Sequence, residues 1–313
     1  MENAEKYTRY YSNGKLLISG EYAVIDGATA LAIPLKFGQS LEIEQILNTN
    51  ILRWEAYVKN KLWFFVEYNI ENLSIIKTNI SLVAEKLIKI LKTIIETDPI
   101  FKQKLKSKIV THINFNHNWG LGTSSTLISN LAFFAKTNPY NLLNKISNGS
   151  GYDIAAARET KPFLYTITDK NTHSIEIVDF ANKINNNLYF IYLGKKQNTE
   201  TSLNNYKTLN KITNTIIDEI TEISKYLASS NNIETFNKAI FNHEEIISNL
   251  IGKKPIQKEF FSDFEGQIKS LGAWGGDFIL ASTENNSAYV NNYFKNKRLT
   301  TILKYNDITI KNK

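Results

Sequence analysis

One turn, built from two glycines and four hydroxyl residues, limits what this chain can become. It reads Asn118-Trp119-Gly120-Leu121-Gly122-Thr123-Ser124-Ser125-Thr126. Before it, Lys108-Ile109-Val110-Thr111-His112-Ile113-Asn114-Phe115 has the composition of a strand. After it, Leu127, Ile128, Leu131 and Phe134 fall on one helical face. Strand, glycine turn and helix therefore follow one another. Glycine admits positive φ and lets a ligand approach the main chain. Hydroxyls entering a helix are expected to cap its first free N–H groups. A helix start of this kind can hold a phosphate. An ordinary loop with a Ser/Thr cap would read the same way, so the rest of the chain must decide.

The 313 residues suffice for two domains, and 42% apolar content can fill a core. No apolar run reaches transmembrane length, and the polar, acid-bearing N-terminus is unlike a secretory signal. Without cysteine there are no disulfides, thiolate metal sites or cysteine nucleophile. These features predict a cytoplasmic protein with no membrane partner. The net charge of +7 comes from dispersed Lys and Arg rather than a block. A small anionic ligand is therefore expected, not nucleic acid.

Residues 7–45 read as strands joined by turns, with Leu16-Leu17-Ile18 and Tyr22-Ala23-Val24-Ile25 as apolar runs and Asp26-Gly27 as a turn. Residues 51–58 and 61–68 read as a hairpin turning at Lys59-Asn60. Ser81 to Glu96 is predicted helical and ended by Asp98-Pro99, and Pro139 to Ile146 is a second short helix. Strands are expected at 163–167, 174–178, 188–193 and 278–281. Helices are expected near 203–228, 232–250 and 256–270, and a helix and strand close the chain. The polar stretch Lys183-Ile184-Asn185-Asn186-Asn187 marks a domain boundary.

Two further glycine turns, at 149–151 and 272–276, accompany the first. There is neither a P-loop nor a dinucleotide-binding glycine fingerprint. Phosphoryl transfer needs positioned phosphates, a divalent cation and a group beside the attacking hydroxyl. The first turn supplies N–H groups, and Ser124 supplies a cation-side hydroxyl. Asp153, at a helix start, can orient or deprotonate an acceptor, and Lys15 adds fixed positive charge. The plainer alternatives are a carboxylate stabilised by the helix dipole for Asp153 and a solvated surface charge for Lys15.

Three motifs in order resemble those of the GHMP kinases, the family of galactokinase, homoserine kinase, mevalonate kinase and phosphomevalonate kinase. The turn at 120–125 is similar to the family's Gly-Leu-Gly-Ser-Ser signature. Gly14-Lys15-Leu16-Leu17-Ile18-Ser19-Gly20-Glu21-Tyr22-Ala23-Val24 resembles its N-terminal motif, and Leu271-Gly272-Ala273-Trp274-Gly275-Gly276-Asp277-Phe278 its C-terminal one. Glu21-Tyr22, Gly149-Ser150-Gly151-Tyr152-Asp153-Ile154-Ala155-Ala156 and Gly276-Asp277 are closest to phosphomevalonate kinases.

The resemblance implies a two-domain α+β fold. An N-terminal ATP-binding domain like domain 2 of ribosomal protein S5 would span 1–184, and a ferredoxin-like C-terminal domain 185–313. It implies ATP and Mg2+ as cofactors, with Lys15 and Asp153 as the catalytic pair. Gly120, Leu121, Gly122, Thr123, Ser124 and Ser125 would hold the nucleotide phosphates, with Ser124 facing the metal. Glu21, Tyr22, Ser150, Gly151, Thr201, Gly275 and Gly276 would bind the substrate. That substrate is expected to be a small acid or alcohol, phosphomevalonate first, with mevalonate or another small alcohol as the alternative. A catalytically silent nucleotide-binding member is a third reading, and a homodimer is one permitted assembly. Lys15 would stabilise the developing charge and Asp153 would receive or direct the acceptor's proton. Arg158, Lys195 and Lys196, which match no family position, are candidate cations for an acceptor that already carries phosphate, the plainer alternative being exposed solubilising charges.

Several positions depart from the family pattern. Asn13 and Asn116 stand where proline is usual, and Ser125 and Thr126 replace two alanines. Leu142 stands where mevalonate kinase carries a magnesium-binding Glu. Trp274 replaces a glycine, and its indole is expected to narrow the site beside the substrate or shield it from water.

Overall fold

The computed structural model describes residues 7–46, 48–147, 149–169, 172–195, 199–209, 211–274 and 276–310. Contact density divides the chain into two compact units, neither of them continuous in sequence. Unit 1 takes the chain through Gly14, then Phe37–His117 and Gly122–Arg158. Unit 2 takes Lys15–Lys36, Asn118–Leu121 and the chain from Glu159 onward. This partition and a division at 184/185 cut the chain differently, because two long strands, β1 (Tyr7–Ser19) and β2 (Ala30–Gln45), contribute to both units.

Unit 1 is a sheet covered by helices. The hairpin of β3 (Ile51–Val58) and β4 (Lys61–Asn69) turns at Lys59-Asn60 as expected, both residues lying at positive φ. Beyond β4 lies the edge strand β5 (Ile75–Thr78). The strand before the glycine turn, β6 (Ser107–Ile113), runs parallel to β3 and antiparallel to β2, with Gln39 opposite Ile113 and Gln45 opposite Ser107. The helices are α1 (Ser81–Thr97), the single-turn α2 (Phe101–Lys104), α3 (Thr123–Ala135), α4 (Pro139–Ile146) and α5 (Tyr152–Arg158). Apolar residues spaced three and four apart on α1, among them Leu87, Leu91 and Ile94, bury one face against the sheet. They share a core with Trp54, Phe64, Ile128, Leu131 and Ile154.

In unit 2, β7 (Phe163–Asp169) pairs with the start of β2, Ala30 opposite Tyr165, and forms a hairpin with β8 (Thr172–Ile177). The remaining elements in chain order are β9 (Leu188–Tyr192), α6 (Thr199–Leu209), α7 (Asn214–Ser229), α8 (Ile233–Ile251), α9 (Ile256–Phe260), β10 (Gln267–Ser270), β11 (Phe278–Ser282), α10 (Ser287–Asn296), β12 (Ile302–Lys304) and α11 (Tyr305–Ile308). Four of these strands form an antiparallel sheet in the order β10-β11-β9-β12.

The structure corrects three sequence expectations. Tyr22-Ala23-Val24-Ile25 is not a strand: Ala23–Asp26 is a 3-10 turn, closed by Val24 N–H donating to Gly20 O at 3.0 Å and ended by Gly27 at φ 99°. The positive φ of Gly20 and Tyr22 turns the chain off the β1 direction. The helix expected near 203–228 is two helices, because Thr213 caps α7 afresh by accepting from Ile216 N at 3.3 Å. The segment 256–270 is the short α9 followed by β10, whose Ile268 pairs with Ala281. Gly266 at φ 147° lies at the change, where the Ser282 carbonyl leaves no space for a side chain.

Candidate active site

In unit 1 the glycine turn enters α3 through Gly122, at φ 93° and ψ 33°. No side chain caps this helix start, contrary to the expectation for the hydroxyls. Each buried hydroxyl has gone elsewhere. Ser125 Oγ donates to Asp153 Oδ2 at 2.5 Å, and Thr126 Oγ1 to Gln39 Oε1 at 2.7 Å. Ser124 is exposed and Thr123 half-buried. The first intrahelical bond closes from Thr126 N–H to Gly122 O at 3.0 Å. The N–H groups before it point out of the helix start, where the dipole favours an anion.

Asp153 lies in the first turn of α5, after Gly151 at φ 90°. Its Oδ1 accepts from Ile154 N at 3.1 Å, so its two carboxylate oxygens are held by the backbone and by Ser125. Ser150 is half-buried and Gly151 buried beside it. Arg158, at the other end of α5, stacks its guanidinium 3.9 Å over the Phe133 ring. Leu142 is 4% exposed and belongs to the core of unit 1. Among the described residues no three His, Cys, Asp or Glu side chains gather as a metal cage.

In unit 2 the backbone N–H of Lys15 donates to Leu121 O at 3.0 Å, which ties the N-terminal motif to the glycine turn. Lys15 is half-buried and Leu121 buried. Asp277 of the third motif lies over Gly120: a Cβ on that glycine would meet Asp277 Oδ2 at 2.3 Å. Trp119 packs edge-on against Phe278 at 5.9 Å, and Tyr192 Oη donates to Asn118 O at 3.2 Å. The first and third motifs therefore interlock.

Glu21 and Tyr22 are both buried. The Tyr22 hydroxyl donates to Ala273 O at 2.9 Å, and its ring lies 5.2 Å from that of Tyr206. Burial pushes the Tyr22 phenol up to about 12, opposed by a hydrogen bond with Ser202. Glu21 is met by a charged and a neutral partner: Lys269 Nζ donates to its Oε1, and His243 Nε2 lies 3.4 Å from its Oε2. Gly20 N–H donates to His243 Nε2 at 3.0 Å, so that nitrogen carries a lone pair. Burial, reinforced by Lys269, holds the imidazole well below its usual range. Glu244 lies 3.8 Å from Lys269, and burial raises it to about 8. Nothing in the sequence marks Lys269, His243 and Glu244 as belonging together. Glu21 alone stood in a recognisable motif.

Trp274 is 2% exposed and its indole packs with Tyr22, Ala28, Tyr206, Ile220, Ile247 and Leu250 in the core of unit 2. Gly276 is buried, and Thr201 is exposed in the first turn of α6. Gly275 and Lys196 lie outside the described residues, and Lys195 is exposed.

No family model and no curated protein matches this sequence. Solved structures do match. A phosphomevalonate kinase of Streptococcus pneumoniae, in complex with phosphomevalonate and AMPPNP, aligns over 95% of this chain and 99% of its own at a TM-score of 0.68 and 15% identity. The mevalonate kinase of Methanococcus jannaschii aligns over 98% and 99% at 0.66 and 16%. The galactokinase of Lactococcus lactis, complexed with galactose, aligns over 98% and 96% at 0.66 and 9%. The chain has the GHMP kinase fold. The α+β class that the resemblance implied is present as a large mixed sheet and a small antiparallel sheet, each with its helices. No helix among the described residues is long and apolar enough to cross a membrane.

Proposed function

We propose that this GHMP-fold protein transfers the γ-phosphoryl group of ATP to a small acid, with phosphomevalonate as the acceptor. The uncapped start of α3 carries the reading. A thirteen-residue helix starts behind a left-handed glycine with no side-chain cap, and the buried Ser125 hydroxyl in its first turn is committed to Asp153. That arrangement suits a polyphosphate.

In this reading Gly120 to Ser125 receive the phosphates. The group implied with ATP is Mg2+, which is commonly held by one or two carboxylates together with substrate phosphates. Exposed Ser124 would face the magnesium, which would supply charge neutralisation of the phosphates. Lys15 stabilises charge on the transferred group. Asp153, fixed by Ser125 and the Ile154 amide, orients the acceptor oxygen. For an alcohol it also takes the proton. For a phosphomonoester, already anionic, it only positions. Ser150, Gly151, Thr201, Gly275 and Gly276 are assigned to the acceptor. Glu21 and Tyr22, both buried, belong to the same acceptor-binding set in this reading.

Mevalonate or another small alcohol is the second reading, favoured by the likeness to the mevalonate kinase and galactokinase structures. Purified protein with Mg-ATP and a panel of mevalonate, 5-phosphomevalonate, homoserine and galactose separates the two by product identity. Phosphorylation of none of them refutes both.

A further inference from the structure

Beneath the N-terminal motif, unit 2 buries four titratable side chains from three places in the chain. Glu21 follows β1, His243 and Glu244 lie on α8, and Lys269 lies on β10. None is more than 1% exposed. Such burial is costly, because each charge loses its hydration and mutual attraction repays only part of that loss. Glu21 Oε2, Glu244 Oε1 and His243 Nδ1 have no hydrogen-bond partner among the described residues, which adds to the cost. Apolar side chains of similar volume would be a cheaper core, so stability alone does not account for the cluster.

Its geometry points to a use. Lys269 Nζ donates to both Glu21 and Ser270 O, and Ser270 Oγ donates to Glu244 Oε2 at 3.3 Å. His243 receives the Gly20 amide at 3.0 Å. The cluster therefore holds Gly20–Tyr22 at a place where both Gly20 and Tyr22 lie at positive φ. That turn ends the strand carrying Lys15, and the charge of Lys15 acts on Glu21. From Tyr22 the linkage continues to Ala273 of the third glycine motif.

We propose that Lys269 and Glu244 are positioning residues: joined to Glu21 from β10 and α8, they fix the turn that closes the Lys15 strand and so hold Lys15 for phosphoryl transfer. The inference rests on the kinase reading. One ammonium serves two carboxylates here, so the arrangement tolerates one carboxylate charge and not two. The groups facing Glu244 are Lys269 and Ser270 from β10 and Glu21 from the turn, with Lys15 beyond Glu21 and the neutral His243 beside it on α8. A second negative charge on Glu244 would compete with Glu21 for Lys269 and loosen the turn.

The test measures kcat from pH 6.5 to 9.5, each protein scaled to its own value at pH 7, for wild type and Glu244→Gln. Wild type is expected to lose about ten-fold with a midpoint near pH 8, the value to which burial raises Glu244, and Glu244→Gln is expected to stay within two-fold. An alkaline loss that persists in Glu244→Gln, or is missing from wild type, overturns the proposal. Lys269→Met is expected to lower kcat ten-fold or more while the Kd of AMPPNP stays within two-fold, with partial recovery in Lys269→Arg. A folded Lys269→Met that changes only the melting temperature also overturns it. If Lys269→Met does not fold, the Glu244→Gln profile decides. A wild type that phosphorylates no acceptor refutes the kinase reading instead. The cluster is then judged by the ring 15N resonances of His243, which should move near pH 8 in wild type and not in Glu244→Gln. Absence of that movement overturns the cluster's role.

Discussion

Ser125 Oγ donates a 2.5 Å hydrogen bond to Asp153 Oδ2, so a buried hydroxyl in the first turn of α3 serves a carboxylate on α5 and not its own helix. In the proposed reaction Asp153→Asn lowers kcat by about 100-fold, the loss expected when the acceptor oxygen is misplaced, and by up to about 10,000-fold if the acceptor is an alcohol whose proton Asp153 takes. Ser125→Ala leaves Asp153 with the Ile154 amide alone, and a loss of about ten-fold is expected from poorer orientation. Because the two side chains act as a unit, the double variant should be no slower than Asp153→Asn. Steady-state kinetics of the three proteins checks this, and additive losses would refute the coupling.

Gly120 and Asp277 make a second linked pair. Gly120→Ala adds a methyl group where the Asp277 carboxylate lies, at a backbone φ of 68°. A destabilisation of about 2–4 kcal/mol is expected, from left-handed strain of about 1–2 kcal/mol plus the clash. Gly272→Ala, at φ 61° with nothing within 4 Å, should show the strain alone. Chemical denaturation of both variants measures the difference. Asp277→Ala added to Gly120→Ala should restore much of it.

Trp274→Gly tests where the indole belongs. The ring fills the core around Tyr22 and Tyr206. Removing it should cost about 3–5 kcal/mol of cavity and transfer energy, less about 1 kcal/mol regained from the positive φ of 49°. The expected result is a clear fall in melting temperature with the order of acceptor preference unchanged. A broadened acceptor range at unchanged stability would contradict the buried placement.

Stability should depend on pH in both directions from the neutral region. Glu244, raised to about 8 by burial, keeps its proton in the folded state while the unfolded chain releases it above about 4.5. The folded state binds more protons across that window, so stability falls as pH rises from about 4.5 to about 8, at no more than about 1.4 kcal/mol per pH unit. His243, held below its usual range by burial, stays neutral while the unfolded chain takes a proton below about 6.5. Its contribution is present above about 6.5 and is lost as pH falls. Urea unfolding at pH 5, 6.5 and 8 should show Glu244→Gln gaining on wild type toward pH 8, and His243→Gln gaining toward pH 5.

Local pattern was enough for much of this fold. The Lys59-Asn60 hairpin and the helix at Pro139–Ile146 rest on contacts near in sequence, and the strand leading into the glycine turn announced itself by its own alternating burial pattern. Tyr22-Ala23-Val24-Ile25 misled because its strand-like composition is overruled by distant partners, Ala273 and Tyr206 among them. The break after Leu209 was hidden because apolar spacing resumes in α7. At the site, Ser125 was visible as a departure from alanine, but not its bond to Asp153 across 28 residues. Lys269 was invisible: a lone lysine reads as a surface charge until the structure places Glu21, 248 residues away, beside it.

The two interleaved units constrain how the protein is made. A ribosome delivers Lys15–Lys36 early, yet most of the unit to which that segment belongs is encoded after Glu159. The first unit has all its residues once Arg158 has emerged. Until β7 arrives, Ala30 to Ala32 at the fully buried start of β2 lack the antiparallel strand that pairs with them on that side. The nascent chain therefore carries an unsatisfied, sticky strand through the middle of synthesis, a natural point of engagement for a chaperone and of aggregation when translation stalls.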